Sequence, residues 1–219
     1  MPNTPEMKNQ VKDLRKEYHY SSLDEQSIDT DPLAQFIAWY EDAVNAGIEE
    51  PNAMVLSTAD KKGNVSGRVV LLKGVEEGGF VFYTNYDSRK GSQVASNPKA
   101  ALTFFWYGLE RQVRVEGKVI KVSRRKSEAY FNSRPEDSKI SASVSPQSCI
   151  IPDRFFLESM RDGFILDLQG QSPRCPDNWG GYVVKPVIIE FWQGRAHRLH
   201  DRLRYRKNMK TWLLERLAP

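Results

Sequence analysis

The densest run of cationic side chains lies near the C-terminus, in H-R-L-H-D-R-L-R-Y-R, His197 to Arg206. Successive side chains of a strand point to opposite faces. As a single strand, the run would place five potential cations on one face: Arg198, His200, Arg202, Arg204 and Arg206. Such a row repels itself unless it meets solvent or an anion, and the guanidinium fork suits phosphate. We therefore expect a phosphate-bearing ligand, with a charged edge strand that resists aggregation as the alternative.

Three further segments bring cations and hydroxyl groups together. R-V-V-L-L-K, Arg68 to Lys73, is an apolar run between two cations, which strict alternation places on opposite faces unless a bulge intervenes. Y-T-N-Y-D-S-R-K, Tyr83 to Lys90, passes from a strand into a helix start, where free N–H groups favour an anion. S-R-P-E-D-S, Ser133 to Ser138, places Arg134 near Tyr130. A charged strand end, a surface pair or a helix stop would explain each segment alone, but together they exceed the needs of one small phosphate.

The absence of other motifs excludes several familiar chemistries. No glycine-rich dinucleotide or P-loop signature opens a predicted helix, and no G-x-S-x-G nucleophile elbow is present. His197 and His200 would point to opposite faces of a strand, so no metal site is expected. Cys149 and Cys175 are too few for a disulfide framework or a zinc site, and we expect both to be reduced thiols.

Length and composition indicate a single globular chain with a substantial core. The sequence has 219 residues, 40% of them hydrophobic, and 32 Lys plus Arg against 28 Asp plus Glu give a net charge of +4. This modest excess tolerates nucleic acid as a partner without requiring it. No apolar stretch approaches the ~20 residues of a membrane span, and the N-terminus lacks the apolar core of a secretory signal. We expect a cytoplasmic protein without a membrane partner.

Periodicity and turn residues predict a mainly β fold. Residues 1–30 are polar and predict a flexible arm. Asp31 then caps a helix that begins at Pro32 and stops near Gly47, with an apolar stripe of Leu33, Phe36, Ile37, Tyr40 and Val44. An antiparallel meander (53–59, 65–75, 80–85), a helix (88–96), two strands (101–107, 110–122), two helices (123–133, 153–168) and further strands from 179 follow. This order predicts a barrel over 31–219 closed by strands from both ends of the sequence, with a helical insertion at about 123–178.

Several motifs in collinear order resemble the pyridoxine/pyridoxamine 5'-phosphate oxidase family. They are R-V-V-L-L-K, F-Y-T-N with S-R-K, R-Q-V-R-V-E-G, Y-F-N-S-R-P, S-P-Q-S, W-G-G-Y, E-F-W-Q-G, R-L-H-D-R and the terminal E-R-L-A-P. The resemblance covers the chain from about Leu14 to Pro219. It implies an FMN-binding split β-barrel of Greek-key type, a homodimer, and FMN bound at the subunit interface.

The resemblance also implies roles for individual residues. For FMN it implicates Arg68, Val69, Val70, Leu71, Leu72, Lys73, Tyr83, Thr84, Arg89, Lys90, Gln112, Gln147, Ser148, Trp192 and Arg202. For substrate it implicates Lys73, Tyr130, Arg134 and Ser138 around the phosphate, with Arg198, Leu199 and His200 near the ring. Arg198 and His200 are the expected catalytic residues. Arg15, Lys16, Glu17 and Tyr18 of the arm resemble a segment that folds over bound substrate as a lid.

The implied reaction converts pyridoxine or pyridoxamine 5'-phosphate to pyridoxal 5'-phosphate. A hydride passes from C4' to FMN, and O2 reoxidises the flavin and yields H2O2. The chain departs from the family pattern at S-K-I-S-A, where Lys139 and Ser141 replace the usual Gln and Gly. Two alternatives stay open: a flavin-binding split barrel with another substrate, and a nucleic-acid-binding barrel that uses Phe104, Phe105 and Trp106.

Overall fold

The computed structural model describes residues 22–219, which form one curled antiparallel sheet with five α-helices. The strands are β1 Ala53–Ala59, β2 Val65–Leu71, β3 Gly74–Glu76, β4 Gly79–Asn85, β5 Lys99–Trp106, β6 Arg111–Lys121, β7 Trp179–Gln193, β8 Asp201–Asn208 and β9 Thr211–Arg216. The helices are α1 Pro32–Asn45, α2 Arg89–Ser96, α3 Arg124–Ser133, α4 Glu136–Val144 and α5 Arg154–Leu168. Short 3-10 turns span Tyr107–Leu109 and Ala196–Arg198. The predicted mainly β fold is confirmed.

The sheet divides along its longest strand, β7. The strand order is β2-β1-β5-β6-β7-β4-β3, with β8 also paired to β7 and β9 paired to β8. One edge of β7 pairs with β6, whereas the other edge pairs first with β4 and then with β8. A bulge at Glu116 and Gly117 interrupts the register between β6 and β7, and such irregularities bend a strand. The two ends of β7 therefore belong to two different parts of the curled sheet.

The predicted meander is only partly correct. β1 and β2 form the expected hairpin, but β4 pairs with β3 and β7 rather than with β2. The predicted strand 65–75 is two strands, because the backbone turns between them: the Leu72 N–H donates to the Asn52 carbonyl, and the Lys73 N–H donates to the Val81 carbonyl, both at 2.8 Å. Since β2 and β3 lie at opposite ends of the strand order, this turn connects the two edges of the sheet.

The predicted strand from His197 to Arg206 is wrong in its first half. His197 and Arg198 have left-handed backbone angles, φ 56° and 60°, and the strand β8 begins only at Asp201. Alternation holds from there, since Leu203 and Tyr205 are buried while the arginines between them are not. Only Arg202, Arg204 and Arg206 share one face of the strand. Two consecutive left-handed residues cannot continue a strand, so Arg198 and His200 are not members of that row.

The helix α1 covers the core with only part of the predicted apolar stripe: Leu33, Phe36 and Tyr40 pack against the core. Its start is as expected, because Asp31 accepts a hydrogen bond from the Leu33 N–H at 3.0 Å and Pro32 is the first residue. Phe36 is fully buried against Phe80, Phe104 and Trp106. The buried positions of α1 are Pro32, Gln35, Phe36, Trp39 and Ala43. Ile37 and Val44, which the predicted stripe included, are 43% and 50% exposed.

The three aromatic residues of the nucleic-acid alternative alternate along β5. Phe104 and Trp106 are buried in the core, and Phe105 is 52% exposed. A platform of three adjacent stacking rings is therefore not presented on one surface.

The helical insertion contains one more helix than predicted. The helix α4 directly follows Pro135, and its sequence E-D-S-K-I-S-A-S-V has little apolar periodicity. The helix α5 forms where expected and packs on α4, but none of its residues is buried: Phe156 and Met160, which are one helical turn apart, are 38% and 37% exposed. Within residues 22–219, no helix has the length and apolar character needed to cross a membrane.

Part of the predicted arm packs on the core. Leu23 and Ile28 are buried, the Leu23 N–H donates to the Asp201 carboxylate, and the Tyr205 hydroxyl donates to the Asp29 carbonyl. The predicted lid residues, Arg15 to Tyr18, lie outside the described residues. The division into an arm over 1–30 and a domain over 31–219 stays a prediction.

Candidate active site

Twelve of the 21 predicted ligand-binding residues that the structure describes line one cavity of about 680 Å³. Strand β2, the end of β4, the start of α2, the helices α3 and α4 and the loop after α4 all contribute to its wall. The predicted residues on this wall are Arg68, Val69, Val70, Leu71, Lys73, Tyr83, Thr84, Lys90, Tyr130, Arg134, Ser138 and Gln147. Arg68 and Lys73 face the same cavity because β2 ends at Leu71, so strict alternation does not extend to Lys73.

One end of the cavity contains cations that are held only by neutral groups. Lys90 Nζ donates to Gln147 Oε1 at 2.8 Å, to Thr84 Oγ1 at 3.1 Å and to Ser88 Oγ at 3.3 Å. Burial, and then the nearby Arg68, lower the pKa of Lys90 to about 8. Among residues 22–219, no carboxylate pairs with Lys90 or Arg68. Partly buried cations that lack a carboxylate partner fit an anionic ligand such as a phosphate.

The start of α2 is fixed tightly under the end of β4. Ser88 caps the helix and accepts a hydrogen bond from the Gly91 N–H at 3.3 Å. A Cβ atom at Gly91 would lie 2.0 Å from the Tyr86 carbonyl oxygen, so only glycine fits there. This packing holds Lys90 in the first helical turn, where a cation is unfavourable for the helix itself. In that position, however, Lys90 lines the cavity and can bind an anion there.

Another cation without a carboxylate partner among the described residues, Arg134, lies on the wall of the same cavity. The Arg134 guanidinium lies 4.8 Å from the ring centre of Trp179, and its buried Nη1 has no hydrogen-bond partner among the described residues. Burial lowers the pKa of Arg134. The rings of Tyr83 and Tyr130 stack with centroids 3.9 Å apart, and Trp179 lies nearly parallel to both. An aromatic wall with an orphan guanidinium nitrogen suits a planar ring that carries an anionic group.

A third group of predicted residues does not line this cavity. Gln112, Trp192 and Arg202 are register neighbours across β6, β7 and β8. The His200 ring centre lies 4.8 Å from that of Trp192, and the Arg195 N–H donates to His200 Nδ1 at 3.1 Å. Together with Arg198 these residues form one surface, which we call the Trp192 strip: Gln112, Trp192, Arg198, His200 and Arg202.

Unlike the cavity, the Trp192 strip contains a cation that is paired with a carboxylate. Arg202 Nη2 lies 2.8 Å from the nearly buried Glu190 carboxylate. Burial, followed by the charge of Arg198, lowers the pKa of His200. Because Nδ1 accepts a backbone N–H, the neutral imidazole carries its proton on Nε2. The strip therefore combines the exposed Arg198 with an imidazole whose neutral form is protonated at Nε2.

The remaining predicted residues do not line the cavity. Leu72 is buried in the core, Leu199 is 69% exposed, and Ser148 follows Gln147 with φ 74°. Arg89 lines a neighbouring cavity of about 650 Å³ on the other side of α2. Lys139 does not line the cavity, since its Nζ contacts Glu136 and Ser172 at 3.4 and 3.3 Å.

The sequence analysis missed several residues of the cavity wall. They are Asn85, Pro135, Ser141, Ala142, Ser145 and Trp179. Ser141 was noted only as a departure from the family pattern. A signal for Trp179 was present in W-G-G-Y: a Cβ atom at Gly181 would lie 2.8 Å from the Tyr83 ring, so the glycines after Trp179 let the rings approach.

Comparison with known proteins places these features in a family. Residues 40–160 match the family described as pyridoxamine 5'-phosphate oxidase, and residues 179–219 match the pyridoxine 5'-phosphate oxidase C-terminal dimerisation region. The pyridoxine/pyridoxamine 5'-phosphate oxidase of Polynucleobacter asymbioticus is 49% identical over 209 residues, 95% of this chain and 99% of that protein. The protein of the same name from Pseudomonas paraeruginosa is 48% identical over 215 residues, 97% of this chain and 100% of that protein.

Solved structures show the same fold. PhzG from Burkholderia lata, in complex with tetrahydrophenazine-1-carboxylic acid, has a TM-score of 0.87 at 25% identity, covering 93% of this chain and 100% of that one. A pyridoxamine 5'-phosphate oxidase-related, FMN binding protein from Nostoc punctiforme has a TM-score of 0.70 at 17% identity, covering 88% of this chain and 100% of that one. The predicted split-barrel fold is thereby confirmed. The chain belongs to the pyridoxine/pyridoxamine 5'-phosphate oxidase family, as its motifs indicate.

Proposed function

We propose that this protein is an FMN-dependent oxidase that converts pyridoxine 5'-phosphate and pyridoxamine 5'-phosphate to pyridoxal 5'-phosphate. The observation that carries the proposal is the presence of two sets of carboxylate-free cations on the wall of one cavity. One set is Arg68 with Lys90, and the other is Arg134. Two phosphate esters, one on the flavin and one on the substrate, satisfy both sets.

The cofactor half of the site consists of β2 and the start of α2. Arg68, Lys90 and Thr84, with Gln147, hold the FMN phosphate, while the chain from Val69 to Leu71 lies along the flavin. FMN held by these residues would supply the hydride acceptor for the substrate C4' atom, with O2 as the final oxidant and H2O2 as its product; for the amine substrate, hydrolysis of the resulting imine would release ammonia. The protein supplies position and electrostatics for that chemistry.

The substrate half is the wall formed by α3, α4 and Trp179. Arg134, Ser138, Lys73 and Tyr130 bind the substrate phosphate, and the buried Nη1 of Arg134 gains the acceptor that it lacks within the described residues. Anchoring the phosphate fixes the distance of C4' from the cofactor and so supplies orientation. Arg198 and His200 complete the site from the opposite side, next to the substrate ring.

The Trp192 strip completes the cavity of a second subunit. The strip does not line the cavity of its own chain, and Trp192, Arg198, His200 and Arg202 all fall within the residues that match the dimerisation region. That match suggests a homodimer. We place FMN between the cavity of one subunit and the Trp192 strip of its partner, which gives two equivalent sites per dimer.

Anaerobic reduction tests the function directly. The FMN-loaded protein is mixed with pyridoxine 5'-phosphate without oxygen, and the visible flavin band is followed. We expect bleaching that reverses when air is admitted, and little bleaching with unphosphorylated pyridoxine at the same concentration. A flavin spectrum that stays oxidised with both phosphorylated substrates would instead indicate a flavin protein with a different substrate. A cytoplasmic location stays a prediction.

A further inference from the structure

A small polar network lies behind Arg68, formed by side chains that the proposed reaction does not use. Thr58 and Ser66 are register partners on β1 and β2, and Gln93 approaches both from α2. The Thr58 hydroxyl lies 2.6 Å and the Ser66 hydroxyl 2.7 Å from Gln93 Oε1. Arg68 Nη1 lies 2.6 Å from Thr58 Oγ1 and 3.0 Å from the Leu56 carbonyl, and Nη2 contacts Ser66 Oγ.

The donor count of this network fixes the direction of its hydrogen bonds. The Arg68 guanidinium only donates, so both hydroxyl oxygens must accept from it. Each hydroxyl then has one proton left to donate, and Gln93 Oε1 receives both. The Gln93 amide cannot reverse without losing these bonds, because its Nε2 donates to the Asn64 carbonyl at 3.3 Å. Gln93, only 5% exposed, therefore determines that Thr58 and Ser66 are acceptors for Arg68.

The network is also electrically neutral. Its acceptors are two hydroxyls, one amide and one backbone carbonyl, and among the described residues no carboxylate contacts Arg68. A carboxylate in the position of Gln93 would hold the guanidinium equally well but would cancel its charge. Neutral acceptors fix the side chain and leave its full positive charge for an external anion.

We propose that Gln93 is a positioning residue for the cofactor phosphate: it aligns Thr58 and Ser66 so that Arg68 faces the cavity as a fixed, uncompensated cation. This inference rests on the proposed function, because it takes Arg68 as a ligand of the FMN phosphate. It adds to that function a residue that does not line the FMN cavity.

The test compares two flavins, FMN and riboflavin, which lacks the phosphate. Dissociation constants for both are measured with the full-length protein by quenching of flavin fluorescence. The variants are Arg68→Met, Gln93→Met and the double variant. Thr58→Val removes one hydroxyl with little change of shape. Gln35→Met is the control for lost stability, because it removes a buried glutamine of α1 that accepts a hydrogen bond from the Asp29 N–H and is not part of the Arg68 network.

A positioning role predicts a selective loss. Gln93→Met should weaken FMN binding about tenfold while riboflavin binding is unchanged, and Thr58→Val should act in the same direction. In the Arg68→Met background, Gln93→Met should have no further effect. Gln35→Met should leave the FMN-to-riboflavin ratio at the wild-type value.

Different results would exclude the role of Arg68 and the role of Gln93. If Arg68→Met leaves the FMN-to-riboflavin ratio unchanged, the proposed role of Arg68 is wrong. If Arg68→Met lowers the ratio but Gln93→Met and Thr58→Val do not, or lower the affinity for both flavins equally, the positioning role of Gln93 is overturned. Should Gln93→Met fail to fold, Thr58→Val decides by the same criterion.

Discussion

Lys90 Nζ lies 2.8 Å from Gln147 Oε1, although the two residues are 57 positions apart in the sequence. The contact joins the first turn of α2 to the loop after α4, so the two segments that bracket the cation-rich end of the cavity meet at one ammonium group. Since the bond to Gln147 is neutral, it orients Lys90 without removing its charge. The charges of Lys90 and Arg134, and the packing that holds them, determine how the protein should respond to pH and to substitution.

The affinity for FMN should fall as the pH rises through about 8. Burial lowers the pKa of Lys90 to about 8, and a bound phosphate favours the charged ammonium, so FMN binding is accompanied by proton uptake above that pH. Titrations of FMN between about pH 7 and about pH 10 should show this slope. Neither riboflavin binding to the wild type nor FMN binding to Lys90→Met should weaken in this way with pH. If the affinity of Lys90→Met for FMN still falls through about pH 8, the proton is taken up by another group.

The same lysine should make the FMN-free protein more stable at alkaline pH. Between a folded pKa of about 8 and the usual value of 10.5, the unfolded chain binds more protons than the folded one. The free energy of unfolding therefore rises with pH in that window and is lower below it. Urea titrations at several pH values should show that the free energy of unfolding rises across this window in the wild type but not in Lys90→Met. The same pH dependence in both proteins would contradict the shifted pKa.

Arg134→Ala should raise the KM for pyridoxine 5'-phosphate far more than it lowers kcat. Loss of a charge-assisted contact of roughly 1.5–3 kcal/mol corresponds to about one to two decades in affinity. Arg161→Ala is the matched control, since Arg161 is on α5 and pairs with Asp137 and Asp162 rather than lining the cavity. An unchanged KM in Arg134→Ala would remove Arg134 from the phosphate site.

Two helical glycines should respond oppositely to alanine. At Gly163 in α5 a Cβ atom meets nothing within 4 Å, so Gly163→Ala should raise the free energy of unfolding by about 0.5–1 kcal/mol through helix propensity. At Gly91 the Cβ atom would lie 2.0 Å from the Tyr86 carbonyl oxygen. Gly91→Ala should therefore destabilise the protein and weaken FMN binding by displacing Lys90. Equal melting temperatures for the two variants would contradict this packing.

Arg198→Ala should lower kcat more than it raises KM. Arg198 is exposed and has a left-handed φ of 60°, a conformation that costs energy in a residue other than glycine. We place it beside the reacting carbon, not at the phosphate. Steady-state kinetics of Arg198→Ala, set against those of Arg134→Ala, separate the two roles; a pure increase in KM would limit Arg198 to substrate binding.

Local signals in the sequence predicted much of the fold. Asp31 with Pro32 marks the start of α1, and D-K-K-G-N between two apolar runs marks the β1–β2 hairpin. Alternation fails in the cationic run near the C-terminus, because His197 and Arg198 have left-handed backbone angles that no adjacent glycine or turn residue indicates.

The site was predicted less completely, because its members come from distant segments. The resemblance identified Arg68, Lys90 and Arg134, which the structure brings to one cavity. It did not indicate Gln93, whose partners Thr58 and Ser66 precede it by 35 and 27 positions. Alternation within a strand also gives only the face on which a side chain lies. It does not show that the Trp192 strip lies away from the cavity of its own chain. Such relationships depend on tertiary packing and register.

Subunit complementation tests the central claim, that the cavity of one subunit works with the Trp192 strip of its partner. Arg134→Ala and Arg198→Ala proteins are mixed, dissociated and reassociated, and oxidase activity is measured at a substrate concentration far below the KM of Arg134→Ala, where each variant alone is nearly inactive. The account predicts recovery to about one quarter of wild-type activity, because half of the dimers are mixed and each mixed dimer has one intact site. If the mixture stays as inactive as its components although mixed dimers form, Arg134 and Arg198 of each active site come from the same subunit. That result would contradict an active site shared between subunits.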